Sequence, residues 1–393
     1  MKALQITPRV SWVGALHPTL RVFDVFVPTV NGTSYNSFLI QGSEKTALID
    51  GVHRDFSDIQ MEKILSITDL EHIDYLIVNH TEPDHAGSIQ KLLALAPQMQ
   101  IIATRSAAIF LKAQLNQEIP VHIVTEGETL SLGDRTLRFI LSPFWHWPDS
   151  MFTYLEEEQI LFSCDGFGSH YADERMTNER CADFWPDFQS YYLHIMRPFA
   201  EKIITGCEKV RQLQLNMICP SHGPVLKKDL WQYVKAYEDW SREVLPKETT
   251  VAVVYVSAYG NTKKMAEIVA AAIGEMGVKC KLLEATTLDV IQCQKELENV
   301  QGILFGSPTI NGDALAPIWN VINATPLLAN RGKISAGCFG SYGWSGEACG
   351  QLSERLKGLR YKLPIMPYKV NFTPTAEDEC KLKEWTQAFI AVL

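Results

Sequence analysis

The stretch Val78–Ser88 reads VNHTEPDHAGS and puts His80, Glu82, Asp84 and His85 close together in the chain. The run before it, DYLIVNH (Asp74–His80), is apolar and ends at His80, which is the pattern of a buried strand. The three residues after His80 therefore fall in the loop at the strand's C-terminal end, where a rigid scaffold usually carries its ligands. Behind the loop, GSIQKLLALA (Gly87–Ala96) reads as an amphipathic helix. By themselves the four polar residues also suit a polar turn in which Asp84 caps that helix.

Three other segments weigh against a simple turn. FWHWPDSM offers His146 beside Asp149, LFSCDGFG offers Asp165 directly after a strand, and CPSHGPV offers His222 between a strand and a Gly-Pro turn. Singly, each has a bland reading as a turn or surface residue. Together, at successive strand ends, they read as a metal site. The pattern H-x-E-x-D-H differs from the H-x-H-x-D-H of zinc hydrolases by one carboxylate, Glu82. Carboxylate is a harder donor than imidazole, so Glu82 favours iron, above all ferric iron. Mixed His and carboxylate ligation with open positions suits non-haem iron that handles oxygen-type ligands, although zinc competes for such sites.

The chain has 393 residues, enough for two or three domains, with 46% hydrophobic and 21% charged residues. Its net charge of −9 excludes a non-specific nucleic-acid role, which needs a basic surface. No apolar run approaches a membrane span, and MKALQITPRV at the start has no secretory pattern. The nine cysteines include no C-x-x-C pair, which argues against an iron–sulfur or zinc-knuckle centre and for reduced thiols in a cytoplasm.

Further strands are expected at a hairpin from TSYNSFLIQG to KTALIDGV turning at Gly42–Ser43–Glu44, and at QIIAT, TLRFILS, MFTYL, ILFSCD and LNMICPSH. Long helical stretches are expected over Ser190–Leu213 and Asp229–Val244. The register breaks at LPKETT (Leu245–Thr250), which sets domains of 1–248 and 249–393. After it, strands and helices alternate from TVAVVYV through the helix Thr262–Met276 to the strand LPIMPYKV and a closing helix, Ala376–Leu393. This is the pattern of an open parallel sheet with helices on both faces.

Three loops lie at the C-terminal ends of strands in that second part. Ser257, Ala258, Tyr259, Gly260, Asn261 and Thr262 precede a helix, and their hydroxyls and amides form a phosphate cradle. An ordinary strand-to-helix turn looks similar. The other two are Ser307, Pro308, Thr309, Ile310, Asn311 and Gly312, and Ser341, Tyr342, Gly343 and Trp344. Open α/β sheets bind ligands at such loops. One phosphate loop without G-x-G-x-x-G argues against a dinucleotide. Trp344 reads as an exposed ring rather than a core residue, because small residues flank it.

On these motifs the chain resembles the flavodiiron proteins, in which a metallo-β-lactamase-like domain is fused to a flavodoxin-like one. WVGALHPTLRVFD and GTSYNSFLI extend the resemblance to nearly the whole chain. It implies an αββα sandwich followed by a flavodoxin-like five-stranded parallel sheet. It further implies that His80, Glu82 and His146 bind one iron, that Asp84, His85 and His222 bind the other, and that Asp165 bridges them. In some relatives the residue matching His85 is turned away. FMN is implied at the three loops, with Trp344 beside it. The implied activity is reduction of O2 to water and/or NO to N2O.

The chain stops after the flavodoxin-like part, so electrons are expected from rubredoxin or a similar small donor with its reductase. A 250-residue domain has a radius of gyration of roughly 18 Å. Flavin and metals in different domains therefore favour a head-to-tail homodimer or a dimer of dimers. The competing expectation is a zinc-type metallo-hydrolase fused to a flavodoxin-like module.

Overall fold

The computed structural model describes residues 2–24, 27–243, 248–324 and 334–393. The chain divides into two compact units, 1–243 and 244–393. The boundary expected between 248 and 249 adjoins residues 244–247, which lie outside the described ones.

The first unit packs two sheets face to face. A seven-stranded sheet holds Phe38–Gln41, Thr46–Ile49, Tyr75–Val78 and Gln100–Ala103 at its centre. A five-stranded sheet runs in the order Thr129–Ser131, Thr136–Leu141, Met151–Leu155, Ile160–Cys164, Met217–Pro220. Side chains alternate across each strand. Phe38, Ile40, Ile77 and Ile102 meet Phe139, Met151 and Phe162 between the sheets. Leu39, Leu76, Val78 and Ile101 face outward onto the helices Ser57–Leu65, Ile89–Leu95 and Arg105–Leu115. Phe152, Tyr154 and Leu161 face outward onto the helices Trp185–Tyr191, Ala200–Val210 and Leu230–Glu243. The result is the expected αββα sandwich. The hairpin forms as read, with Phe38 opposite Ile49 and Gln41 opposite Thr46.

Two elements differ from expectation. The helix over Ser190–Leu213 is broken into Trp185–Tyr191, a π-helical turn Tyr192–Met196, a 3-10 turn Arg197–Phe199, and Ala200–Val210. Pro198 has no N–H and its ring clashes with the preceding turn, so one regular helix cannot pass through it. The strand LPIMPYKV shrinks to Tyr368–Asn371, because Pro364 and Pro367 remove ladder donors.

In the second unit five parallel strands pair in the order Lys279–Glu284, Thr250–Tyr255, Gly302–Gly306, Ser335–Tyr342, Tyr368–Asn371. Counted along the unit this is 2-1-3-4-5, the flavodoxin-like order, whose ligand crevice lies between strands 1 and 3. The loops Ser257–Thr262 and Ser307–Gly312 follow those two strands.

Candidate functional site

The sandwich brings all seven expected residues to one end of the first unit. His80 follows the strand Tyr75–Val78, Asp165 follows Ile160–Cys164, and His222 follows Met217–Pro220. His146 sits in the turn between Thr136–Leu141 and Met151–Leu155. Glu82, Asp84 and His85 open the short helix Pro83–Ala86 and its entry, with Pro83 at the first helical position, where its missing N–H costs nothing.

The seven side chains form two groups about Asp165. Its Oδ2 lies 3.6 Å from His80 Nε2 and 3.2 Å from His146 Nε2. Glu82 Oε2 closes that group at 3.2 Å from His80 and 3.1 Å from His146. The Oδ1 of Asp165 lies 3.1 Å from His85 Nε2 and 3.4 Å from His222 Nε2. Asp84 closes the second group at 3.5 Å from His85 and 3.0 Å from His222. Donors held about 2.1 Å from a common ion stand roughly 3.0 to 3.4 Å apart, between octahedral and tetrahedral geometry. Six of the eight contacts fall in that range, and the other two, at 3.5 and 3.6 Å, lie just beyond it. His85 points into the site rather than away from it.

The electrostatics fit a cation. Both Asp84 oxygens are buried without a hydrogen-bond partner. Leaving an acceptor so exposed to a low dielectric is costly unless a positive charge faces it. Burial alone would depress the imidazoles of His80, His85 and His146. The carboxylates of Asp149, Glu82, Asp84 and Asp165 around them push all three up to about 10. Burial also opposes charge on Glu82 and Asp165, yet the facing imidazoles hold both below the ordinary carboxylate range. Without metal, protons supply the positive charge that these carboxylates require.

Three further groups fix the donors, and the sequence reading assigned a role to none of them. Asp149 lies 3.1 and 3.2 Å from His80 Nδ1 and accepts from the Thr81 amide and hydroxyl at 2.8 and 2.7 Å. His222 Nδ1 donates to the Ser34 carbonyl at 2.7 Å. Each contact places a proton on Nδ1 and turns Nε2 toward the site, the outer arrangement that metal-binding histidines need. Tyr191, at the edge of the π-helical turn, donates its hydroxyl to Asp165 Oδ1 at 2.9 Å. Asp149 carried a signal in its place beside His146. Tyr191 carried none, since a helical tyrosine reads as core.

In the second unit the three loops meet. Thr262 Oγ1 and Ser341 Oγ share a hydrogen bond of 2.9 Å, and the Thr309 amide donates to the Ser341 carbonyl at 3.0 Å. Gly260 has φ +86° with open space about it, and its amide donates to Ser257 Oγ at 3.1 Å. It leads into the helix Asn261–Glu275, whose unpaired N-terminal amides suit a phosphate. Tyr259 is 91% exposed and Trp344 is 96% exposed. Exposed rings of that size beside a phosphate cradle fit a planar cofactor.

Residues 33–223 match the family model described as ODP family beta lactamase, and residues 253–385 match that of flavodoxin. A Clostridium acetobutylicum protein named flavo-diiron protein FprA2 is 37% identical, over 99% of both chains. A Moorella thermoacetica protein named nitric oxide reductase is 35% identical, over 95% of this chain and 94% of its own. The solved structure of rubredoxin oxygen:oxidoreductase from Desulfovibrio gigas superposes with a TM-score of 0.69 at 29% identity, covering 100% of this chain and 98% of that one. With its sandwich, its doubly wound sheet and these relatives, the chain belongs to the flavodiiron proteins, oxidoreductases that carry a diiron centre and FMN.

Proposed function

We propose that this protein reduces O2 and/or NO at a pair of non-haem irons that receive electrons through FMN. The observation that carries this reading is the division of Asp165, with Oδ2 toward His80 and His146 and Oδ1 toward His85 and His222. In this reading His80, Glu82 and His146 would hold one iron, Asp84, His85 and His222 would hold the other, and Asp165 would offer one oxygen to each group. Relatives named for oxygen and for nitric oxide support the substrate class. Together the two cofactors supply up to four electrons, enough for O2 + 4e⁻ + 4H⁺ → 2H2O, whereas 2NO + 2e⁻ + 2H⁺ → N2O + H2O needs two.

The chain's own residues orient and insulate. Asp149 and Ser34 hold His80 and His222 in the ligating tautomer. Tyr191 holds one bridging oxygen and withdraws part of its charge. Ser257, Ala258, Tyr259, Gly260, Asn261 and Thr262 would hold the phosphate of bound FMN. The loops Ser307–Gly312 and Ser341–Trp344 would be available to its ring.

Rubredoxin or a similar small protein, with its reductase, delivers the electrons. A head-to-tail homodimer, or a dimer of dimers, is the working assembly. Nine free cysteines support a reducing cytoplasm as its location. Among the described residues no helix is long and apolar enough to cross a membrane. No observation favours the zinc-hydrolase alternative.

The test is metal and flavin analysis followed by anaerobic reduction and parallel O2 and NO consumption with rubredoxin. Two irons and one FMN per chain with donor-dependent gas uptake are expected. Zinc-only protein that hydrolyses thioesters, or full turnover with NADH alone, would overturn the reading. Light scattering that gave an active monomer would rule out the assembly.

A further inference from the structure

The loop after the last strand, Phe372–Thr375, had no part in the three-loop reading, yet the structure ties it to two of those loops. Asn371 Nδ2 donates to the Gly343 carbonyl at 2.6 Å and to the Tyr342 carbonyl at 3.4 Å. The Phe372 amide donates to the same Tyr342 carbonyl at 2.8 Å. Thr373 Oγ1 donates to Asn261 Oδ1 at 3.2 Å, at the first position of the phosphate-loop helix. Phe372 holds a left-handed φ of +53° and is 61% exposed. A Cβ added to Gly343 would lie 3.4 Å from its ring.

In a trans peptide the C=O and the following N–H point in opposite directions. Anchoring the Tyr342 and Gly343 carbonyls on Asn371 and Phe372 therefore turns the Gly343 and Trp344 amides the other way. Those two amides donate to no backbone carbonyl among the described residues. They are a pair of aligned donors at the loop that carries the exposed Trp344.

We propose that Asn371 and Thr373 are positioning residues of the flavin site, forming a fourth loop that aims the Gly343 and Trp344 amides at the cofactor and braces the phosphate loop. This rests on the reading of the second unit as the FMN site. Aligned N–H donors favour the electron-rich reduced flavin over the oxidised one. Loss of the alignment therefore lowers the midpoint potential, an effect that mere support of the fold would not produce.

The experiment uses full-length protein stripped of flavin and titrated with FMN, with the midpoint potential measured after reloading. Asn371→Asp keeps the shape but replaces the donor by an acceptor facing two carbonyls. It should weaken FMN binding about tenfold and lower the potential. Thr373→Val should weaken binding about threefold, and Thr373→Ser should restore it. Thr262→Val serves as the variant within the loop itself. If Asn371→Asp and Thr373→Val bind FMN as the parent does while Thr262→Val is weakened, the fourth loop is excluded and the FMN site stands. If Thr262→Val and Ser257→Ala are also unaffected, the FMN reading itself fails. Should Asn371→Asp not fold, the Thr373→Val and Thr373→Ser pair decides by the same criterion.

Discussion

Asp149 grips the far side of His80, its carboxylate 3.1 and 3.2 Å from Nδ1 while Nε2 of the same ring lies 3.2 Å from Glu82. Burial would raise the Asp149 carboxyl, but the His80 contact and the Thr81 donors hold it low, so it stays ionised and keeps the proton on Nδ1. Asp149→Asn keeps the shape and halves the acceptor capacity. Outer partners of this kind are worth about 10- to 100-fold in metal affinity. Iron titration of the stripped protein should show a loss in that range with flavin content unchanged. Parent affinity would show that His80 is fixed by something else.

Glu82 gives the first group its own carboxylate. Glu82→His removes the harder donor and leaves three histidines. Metal analysis after expression with mixed iron and zinc should show a shift toward zinc, and gas reduction should fall to background. Retained iron and turnover would contradict the role given to Glu82.

Gly206 lies in the helix Ala200–Val210 against Trp145, the residue before His146. A Cβ there would sit 2.2 Å from Trp145 Nε1 and 2.3 Å from Cε2. Trp145 is fully buried and cannot retreat. Gly206→Ala should therefore cost roughly 1–3 kcal/mol in urea unfolding, with weaker iron binding as the ring pushes on the His146 turn. Gly274, in the helix Asn261–Glu275, has nothing within 4 Å of such a Cβ. Gly274→Ala should instead stabilise its unit by about 0.4–1 kcal/mol.

The pH response should change sign of slope with metal. In stripped protein His80, His85 and His146 are raised from 6.5 to about 10. Their stabilisation is complete below pH 6.5 and drains away as pH rises toward about 10. Glu82 and Asp165 are depressed, so their contribution exists above the usual carboxylate range and is lost on acidification. Stripped protein should melt highest near about pH 5–6.5 and progressively lower toward pH 9. Iron displaces those imidazole protons, so loaded protein should gain stability over the same alkaline range. Calorimetry at about pH 7.5 in buffers of different ionisation enthalpy should register proton release on iron binding. A buffer-independent heat would contradict the charge state assigned to the three histidines.

Much of the fold was legible because strand ends announce themselves. His80, Asp165 and His222 each lie within two residues of the end of an apolar strand, so their place at one edge could be read from local pattern. Alternation of strand and helix gave the parallel sheet of the second unit for the same reason. The break at Pro198 was also written in the chain, although helical periodicity on either side hid it. Asp149 was legible only by its place beside His146, and Tyr191 and Asn371 were not legible as functional at all. An aspartate in a turn, a tyrosine on a helix and an asparagine at a strand end have ordinary local explanations, and their partners lie 69, 26 and 28 residues away.

The sequence by itself determined the donor types, their order along the chain and the substitution of Glu82 for a histidine. Those are local facts, fixed by which side chains follow which strands. Only the tertiary structure decided that the two oxygens of Asp165 face different groups, that His85 turns inward, and that Asn371 holds the Trp344 loop. These relations depend on strands far apart in the chain being packed side by side. Packing sets distances of about 3 Å between residues that no spacing in the sequence connects.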